Sequence, residues 1–167
     1  INKQLNENNV SWRAGVNFKP SRDLLLYANV SKGYKSGSFP LISILLEQQA
    51  KPVTQESVLA YEGGVKATLA DRHIQLNAAV FYYDYKDKQT LGLTFIPPFG
   101  NLQTLINIPK SHIIGFEASA VISPIDGLTI SPSVTMVKSQ IDGNFVGLGI
   151  ELKSAEGALL IVKVIPG

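Results

Sequence analysis

Residues able to carry out chemistry are few in this chain, and their spacing argues against most reactions. His73, in ADRHIQ, and His112, in PKSHII, are the only imidazoles. Neither belongs to a carboxylate–histidine cluster of the kind that holds a metal. Serines, histidines and aspartates all occur, yet no GxSxG elbow is present and nothing in the sequence places a base beside a nucleophile. Gly33, Gly37, Gly63 and Gly64 lie in neither a GxxxxGK[ST] loop nor a strand-GxGxxG-helix context, so they read as packing and bending positions. There is no cysteine, which removes disulfides, thiolate-bound zinc or iron–sulfur centres, and thiol catalysis. The sequence therefore predicts no enzyme, no catalytic residue, no cofactor and no metal. The 15 Lys+Arg and 13 Asp+Glu give a net charge of +2, and the basic residues are scattered, so no nucleic-acid partner is expected.

Two groups of side chains invite a binding role. Glu62 and Lys66 share one face of a strand, with Glu56, Glu117 and Arg13 on polar faces elsewhere. Together they read either as a charged wall that touches a ligand or as ionic packing with no ligand role, and the second reading is favoured. Phe81, Tyr82, Tyr83 and Tyr85 form an aromatic cluster. Its structural reading is a belt at a membrane–water interface, where amphipathic rings settle; ligand stacking is the alternative. No individual ligand-binding residue is assigned.

The elements that carry these residues are strands. Hydrophobic residues make up 45% of the chain and charged residues 17%, and the mean hydropathy is +0.13, apolar for a soluble domain in which about a quarter of residues are charged. No apolar run is long enough for a transmembrane helix. The apolar excess instead falls on alternate positions. In VSWRAGVNFKP, Trp12, Ala14, Val16 and Phe18 alternate with Arg13, Gly15, Asn17 and Lys19. The turn PSRD and the strand LLLYANVSKGY follow. Next comes a long segment, Lys35 to Thr54, in which LISILL is compatible with a short helix, a covered strand or a loop.

The alternation resumes at Ser57 and reverses at ADR. Val65, Ala67, Leu69, Ile74, Leu76, Ala78 and Val80 are expected on one face, and Glu62, Lys66, Thr68, Gln75 and Asn77 on the other. A second long loop is expected from about Lys86 to His112 because of the breakers IPPFGN and NIPK. The third hairpin is IIGFEASAVI, the turn SPIDG and LTISPSVTMVKSQ, with Pro132 predicting a bulge or local edge. Short turns at one end, long loops at the other, and strands longer than the usual 5–6 residues suit membrane-spanning strands, which need about 9–11 residues.

The words YANVSKGYKSG (Tyr27–Gly37), ESVLAYEGGVK (Glu56–Lys66), LNAAVFYYDYKD (Leu76–Asp87) and GFEAS (Gly115–Ser119) resemble, in order and spacing, the barrel of TonB-dependent outer-membrane receptors. Ser119 stands where an acidic residue is common in that family. The resemblance covers about Trp12 to Gln140. It implies the outer membrane of a Gram-negative bacterium and energised uptake of a scarce small molecule, such as a ferric siderophore. It also implies outer-membrane lipid, the protein's own plug domain and TonB as partners of the full-length receptor.

The fold expected is therefore all-β, an antiparallel meander of about six long strands that forms a fragment of a transmembrane β-barrel. Residues 1–141 are expected to be the partial barrel and 142–167 an atypical segment, with no plug domain or TonB box in this stretch. Ile1 reads as an internal cut, with no signal peptide following it. Because lipid tolerates no open strand edge, further strands or partners must close the sheet. The alternatives are a passive porin-like or structural outer-membrane barrel, and a soluble all-β binding domain.

Overall fold

The computed structural model describes residues 5–39, 52–98 and 100–142, together with the backbone of 145–147, 150–155 and 158–164. The segment LISILL lies outside the described residues. Strands β1 (Trp12–Ser21), β2 (Leu24–Lys35), β3 (Glu56–Leu69), β4 (Ile74–Ile96) and β5 (Gly100–Ile125) follow one another, and β6 (Leu128–Ile130) and β7 (Ser133–Ile141) complete the sheet. Each strand pairs antiparallel with its neighbour in sequence, in the order β1-β2-β3-β4-β5, with β6 and β7 both on β5. This is the expected meander, and it remains an open sheet. A separate three-stranded antiparallel sheet is formed by β8 (Phe145–Gly147), β9 (Ile150–Ala155) and β10 (Ala158–Val164).

The turns lie where the sequence places them. Between β3 and β4, Ala70, Asp71 and Arg72 all adopt positive φ (51°, 50° and 74°), and the His73 amide donates to the Ala70 carbonyl at 2.9 Å. Gly127, at φ 81°, closes the β5–β6 turn, a conformation in which glycine has no Cβ to clash.

Two expectations need correction. The loop expected from about Lys86 to His112 is not a loop: β4 and β5 run on as one hairpin of 23 and 26 residues, in unbroken register from Ile74↔Ile122 to Ile96↔Gly100. The breaker motifs are absorbed by the ladder. Pro97 and Pro98 lie in the turn at the tip, and Pro109 of NIPK lies opposite Asp87, the pairing missing from an otherwise continuous series. Pro109 has no N–H to offer. Asp87 takes a positive φ of 53° there, and its carbonyl accepts from Asn107 Nδ2 instead, at 2.6 Å.

Of the bulge or local edge expected at Pro132, the edge is found among the described strands and the bulge is not. Pro132 separates β6 from β7, but Ile122↔Ile130 and Ser119↔Ser133 share one register. The Ala120 amide still donates to the Pro132 carbonyl at 3.0 Å, and only the reciprocal bond is lost.

The register fixes the faces. Val65↔Ala78, Ala67↔Leu76 and Leu69↔Ile74 stand directly opposite on one side, and Lys66↔Asn77 and Thr68↔Gln75 on the other. Large residues of the apolar side stand uncovered, with Val16 64% exposed, Val80 58% and Met136 67%; on the inward side Ala79 is 6% exposed, while Lys66, Gln75 and Asn77 are exposed. Among the described residues no side chain is fully buried. A soluble sheet covers its apolar face with a core, whereas here Val16, Val80 and Met136 have no such cover among the described residues. From Ile74 to Tyr82 the outward residues span about 26 Å of strand, or about 20 Å along the normal at a ~40° tilt, close to the apolar band of an outer-membrane barrel.

A cysteine at position 65 of the full-length protein is therefore expected to react with a lipid-soluble probe, and one at 66 with an aqueous probe. Labelling in the reverse sense would refute this assignment of the two faces.

Candidate lumen wall and its upper latch

The inward face of β1–β7 is built in rows by the same register. One row runs Asn17, Tyr27, Gly64, Ala79, Glu117, Thr135, and the next runs Gly15, Asn29, Glu62, Phe81, Gly115, Val137. Small residues and rings alternate across strands for a steric reason. A Cβ on Gly64 would lie 2.6 Å from the Tyr27 ring, and one on Gly115 would clash with the outer edge of the Phe81 ring. Each ring thus lies over the glycine of the adjoining strand.

Tyr83 stacks on Phe81 with ring centres 4.9 Å apart and planes at 22°. Glu62, Glu117 and Arg13 lie within electrostatic range of the Tyr27 hydroxyl. The result is a wet wall in which carboxylates flank a platform of rings and small residues. Such a surface can hold a cationic or hydrogen-bonding group. It has no nucleophile–base pair.

The aromatic cluster of β4 is divided by the pleat, which corrects the reading of Phe81, Tyr82, Tyr83 and Tyr85 as one belt. Phe81, Tyr83 and Tyr85 fall on the inward side, and Tyr82 faces outward. Tyr82 lies 6.4 Å from Tyr61, ring centre to ring centre, and stacks on His112 at 5.7 Å. Tyr61 and Tyr82 are the belt residues, with Trp12 one row above them at the end of β1.

The histidines are not brought together. His73 is a turn residue whose Nδ1 lies 2.8 Å from the Ser123 carbonyl, with the Ser123 amide donating to the His73 carbonyl at 2.8 Å. His112 is a strand residue of β5 rather than a loop residue, and its Nδ1 lies 2.7 Å from Asp142 Oδ1. Ser123 and His112 are separated by about 36 Å of one strand. No group of three or more metal-ligating side chains occurs among the described residues.

Sequence reasoning missed a polar latch at the upper end. Asn107 accepts from the Thr54 amide (2.8 Å) and hydroxyl (3.2 Å), and its Nδ2 donates to the Thr54 carbonyl at 3.0 Å. Beside it, Gln89 donates through Nε2 to the carbonyls of Ser36 (2.8 Å) and Thr54 (3.1 Å), and its amide donates to Glu56 Oε2 at 2.9 Å. The Ser38↔Val53 bridge closes the same corner. These amides pin both ends of the β2–β3 connection to the β4–β5 hairpin. The sequence signal was weak, because the partners are 33 to 53 residues apart.

A model of the family described as "TonB dependent receptor-like, beta-barrel" matches residues 2–152. The chain belongs to that family. Its fold is similar to that of the copper transporter OprC (TM-score 0.62, 13% identity, 78% of this chain and 20% of that one). It is also similar to the siderophore receptor PiuA from Acinetobacter baumannii (0.57, 19% identity, 90% and 20%) and the alcaligin outer-membrane receptor FauA from Bordetella pertussis (0.56, 17% identity, 87% and 25%). The chain thus spans between a fifth and a quarter of those proteins' length. At these identities the likeness shows the fold: a six-stranded sector of a TonB-dependent receptor barrel, with its sixth strand split at Pro132.

Two substitutions probe the wall and the latch. Gly115→Ala forces the Phe81 ring aside and is expected to destabilise the folded receptor by about 1–3 kcal/mol. Most of that loss should vanish in a Phe81→Ala background, measured by urea unfolding as a double-mutant cycle. Additive losses would show that the ring and the glycine do not interact. Asn107→Ala should speed amide hydrogen exchange at Thr54 by roughly tenfold, as expected for loss of about 1.4 kcal/mol of local protection.

Proposed function

We propose that this chain forms part of the membrane-spanning wall of an outer-membrane active transporter that takes up a scarce small-molecule ligand, energised through TonB. The observation that carries this reading is the family match over residues 2–152, supported by a sheet with one apolar face and an opposite face that carries Arg13, Glu62, Lys66 and Glu117. On this reading the outward residues meet lipid in the outer membrane of a Gram-negative bacterium. The inward carboxylates and rings contact the receptor's own plug domain. The β4–β5 hairpin, held by the Asn107–Thr54 latch, stands on the external side, where ligand first arrives, because short turns of such barrels face the periplasm and long connections face outward.

A ferric siderophore is the ligand class favoured here, supported by the similarity to PiuA and FauA. Copper is the second reading, on the similarity to OprC. Residues 142–167 are proposed to be a segment distinct from the barrel wall. The role assigned to the chain is transport and binding, not catalysis.

Cells relying on the full-length receptor should accumulate radiolabelled ferric siderophore, and accumulation should stop when the proton-motive force is dissipated. Uptake that persists without it would indicate a passive pore and reject the energised reading. Copper accumulation in place of iron would transfer the assignment to the second ligand. This chain in isolation should not bind a ferric siderophore at micromolar concentration, since most of the wall is contributed by other strands; tight binding in a titration would overturn that expectation.

A further inference from the structure

Three consecutive backbone positions just past the end of β2 are each held by a different segment of the chain. The Ser36 carbonyl accepts from Gln89 Nε2 of the β4–β5 hairpin at 2.8 Å. The Gly37 amide donates to Glu7 Oε2 at 2.8 Å, on a residue 30 positions earlier that precedes β1. The Ser38 carbonyl accepts from the Val53 amide at 3.0 Å, on the far side of the β2–β3 connection. Residues 5–11, the β2–β3 connection and the hairpin beyond Lys86 all stand at the same end of the sheet, that of the long connections. Among the described residues no hydrogen bond joins residues 5–11 to the hairpin directly, so the corner Ser36–Gly37–Ser38 is the polar link between them.

Gly37 is what lets this corner close. A Cβ there would lie 2.5 Å from the Val53 carbonyl oxygen and 2.8 Å from Glu7 Oε1, so no larger residue fits while both neighbours are seated. The need is for close approach, since Gly37 is not among the glycines of positive φ.

The partners are enclosed as well. Val53 is 4% exposed and Gln89 8%. Gln89 spends its Nε2 donors on the carbonyls of Ser36 and Thr54 (2.8 and 3.1 Å) and its amide on Glu56 Oε2 (2.9 Å). A buried amide deprived of one partner bears the desolvation of an unmet polar group, so partial release is unfavourable. Peptide planes are rigid, and the three bonds sit on adjoining ones. A shift that frees Gly37 from Glu7 therefore also draws the Ser36 carbonyl off Gln89 and the Ser38 carbonyl off Val53.

We propose that this corner makes residues 5–11, both ends of the β2–β3 connection and the base of the β4–β5 hairpin one two-state unit, seated or released together, so that a change at any of the three reaches the others through Gly37. A molecule that displaces Glu7 loosens the hold on the hairpin. One that immobilises the hairpin tightens the hold on residues 5–11, by the same factor, because coupling between sites is reciprocal. The coupling requires the folded receptor and no uptake, so it and the transport reading can fail separately.

The test is native-state hydrogen exchange of the full-length receptor in detergent, resolved to single amides by mass spectrometry. Glu7→Ala removes only the acceptor of the Gly37 amide. It is expected to speed exchange at Gly37, Val53 and Gln89 by a similar factor, roughly tenfold, although Glu7 is the bonding partner of Gly37 alone among them. Gln89→Ala should in turn speed exchange at Gly37 by a comparable factor. Glu7→Gln keeps an acceptor oxygen and should preserve protection at Gln89, which separates the hydrogen bond from the charge. Gly37→Ala should release all three segments at once. The amides of β3 between Gly63 and Leu69 should stay protected in every variant. Faster exchange at Gly37 alone after Glu7→Ala would show that the contacts open independently and would overturn the proposal. A Gln89→Ala effect confined to the hairpin, or an equal loss of protection along β3, would overturn it too.

Discussion

A strand in hydrocarbon can satisfy its backbone only through its neighbours, and the rest of this sheet follows from that constraint. Each unpaired N–H or C=O in lipid costs several kcal/mol, so pairing must be continuous across the apolar band. The observed registers meet this demand. β2 with β3, β3 with β4, and β4 with β5 each keep a single offset along their whole contact. Shifts are confined to the turn ends, between Phe18 and Ser21 and between Ile122 and Ile125.

Residues that break a ladder sit where the loss is contained. Asp87, with its left-handed backbone, and Pro109 lie above the aromatic row, where an Asn107 side chain takes over the freed carbonyl. Pro132 falls within the band but on the last described strand of the sheet. There it keeps its acceptor bond to Ala120 and gives up only the donor.

A continuous ladder also commits every residue to one of two faces, and the side chains divide accordingly. Outward positions carry aliphatic groups up to Tyr61 and Tyr82. Inward positions carry the carboxylates, amides and ring–glycine contacts of Tyr27 on Gly64 and Phe81 on Gly115. The glycines serve close approach rather than flexibility: each gives an aromatic ring from the adjoining strand a surface on which to lie. This fills the inner wall without burying an unpaired charge, and it accounts for glycine and aromatic residues recurring at matched positions on neighbouring strands. Family membership and the division of the two faces agree on a sector of barrel wall.

The alternation, the three tight turns and the division of residues between faces were determined by the sequence alone, because a two-residue period and a turn are local properties of the chain. Tertiary structure decided what depends on partners far along the chain. The Lys86–His112 region carries loop-like residues, and only its self-pairing across Pro97 and Pro98 turns it into strand. Asn107 and Gln89 look like ordinary polar residues until Thr54 and Ser36 arrive from another hairpin. His112 reads as a loop residue until Tyr82 and Asp142 are placed against it. Lys86 and Lys110 become a pair only through the β4–β5 register. A local period fixes which side of a strand a residue faces, but only the register of the neighbouring strand fixes what stands beside it.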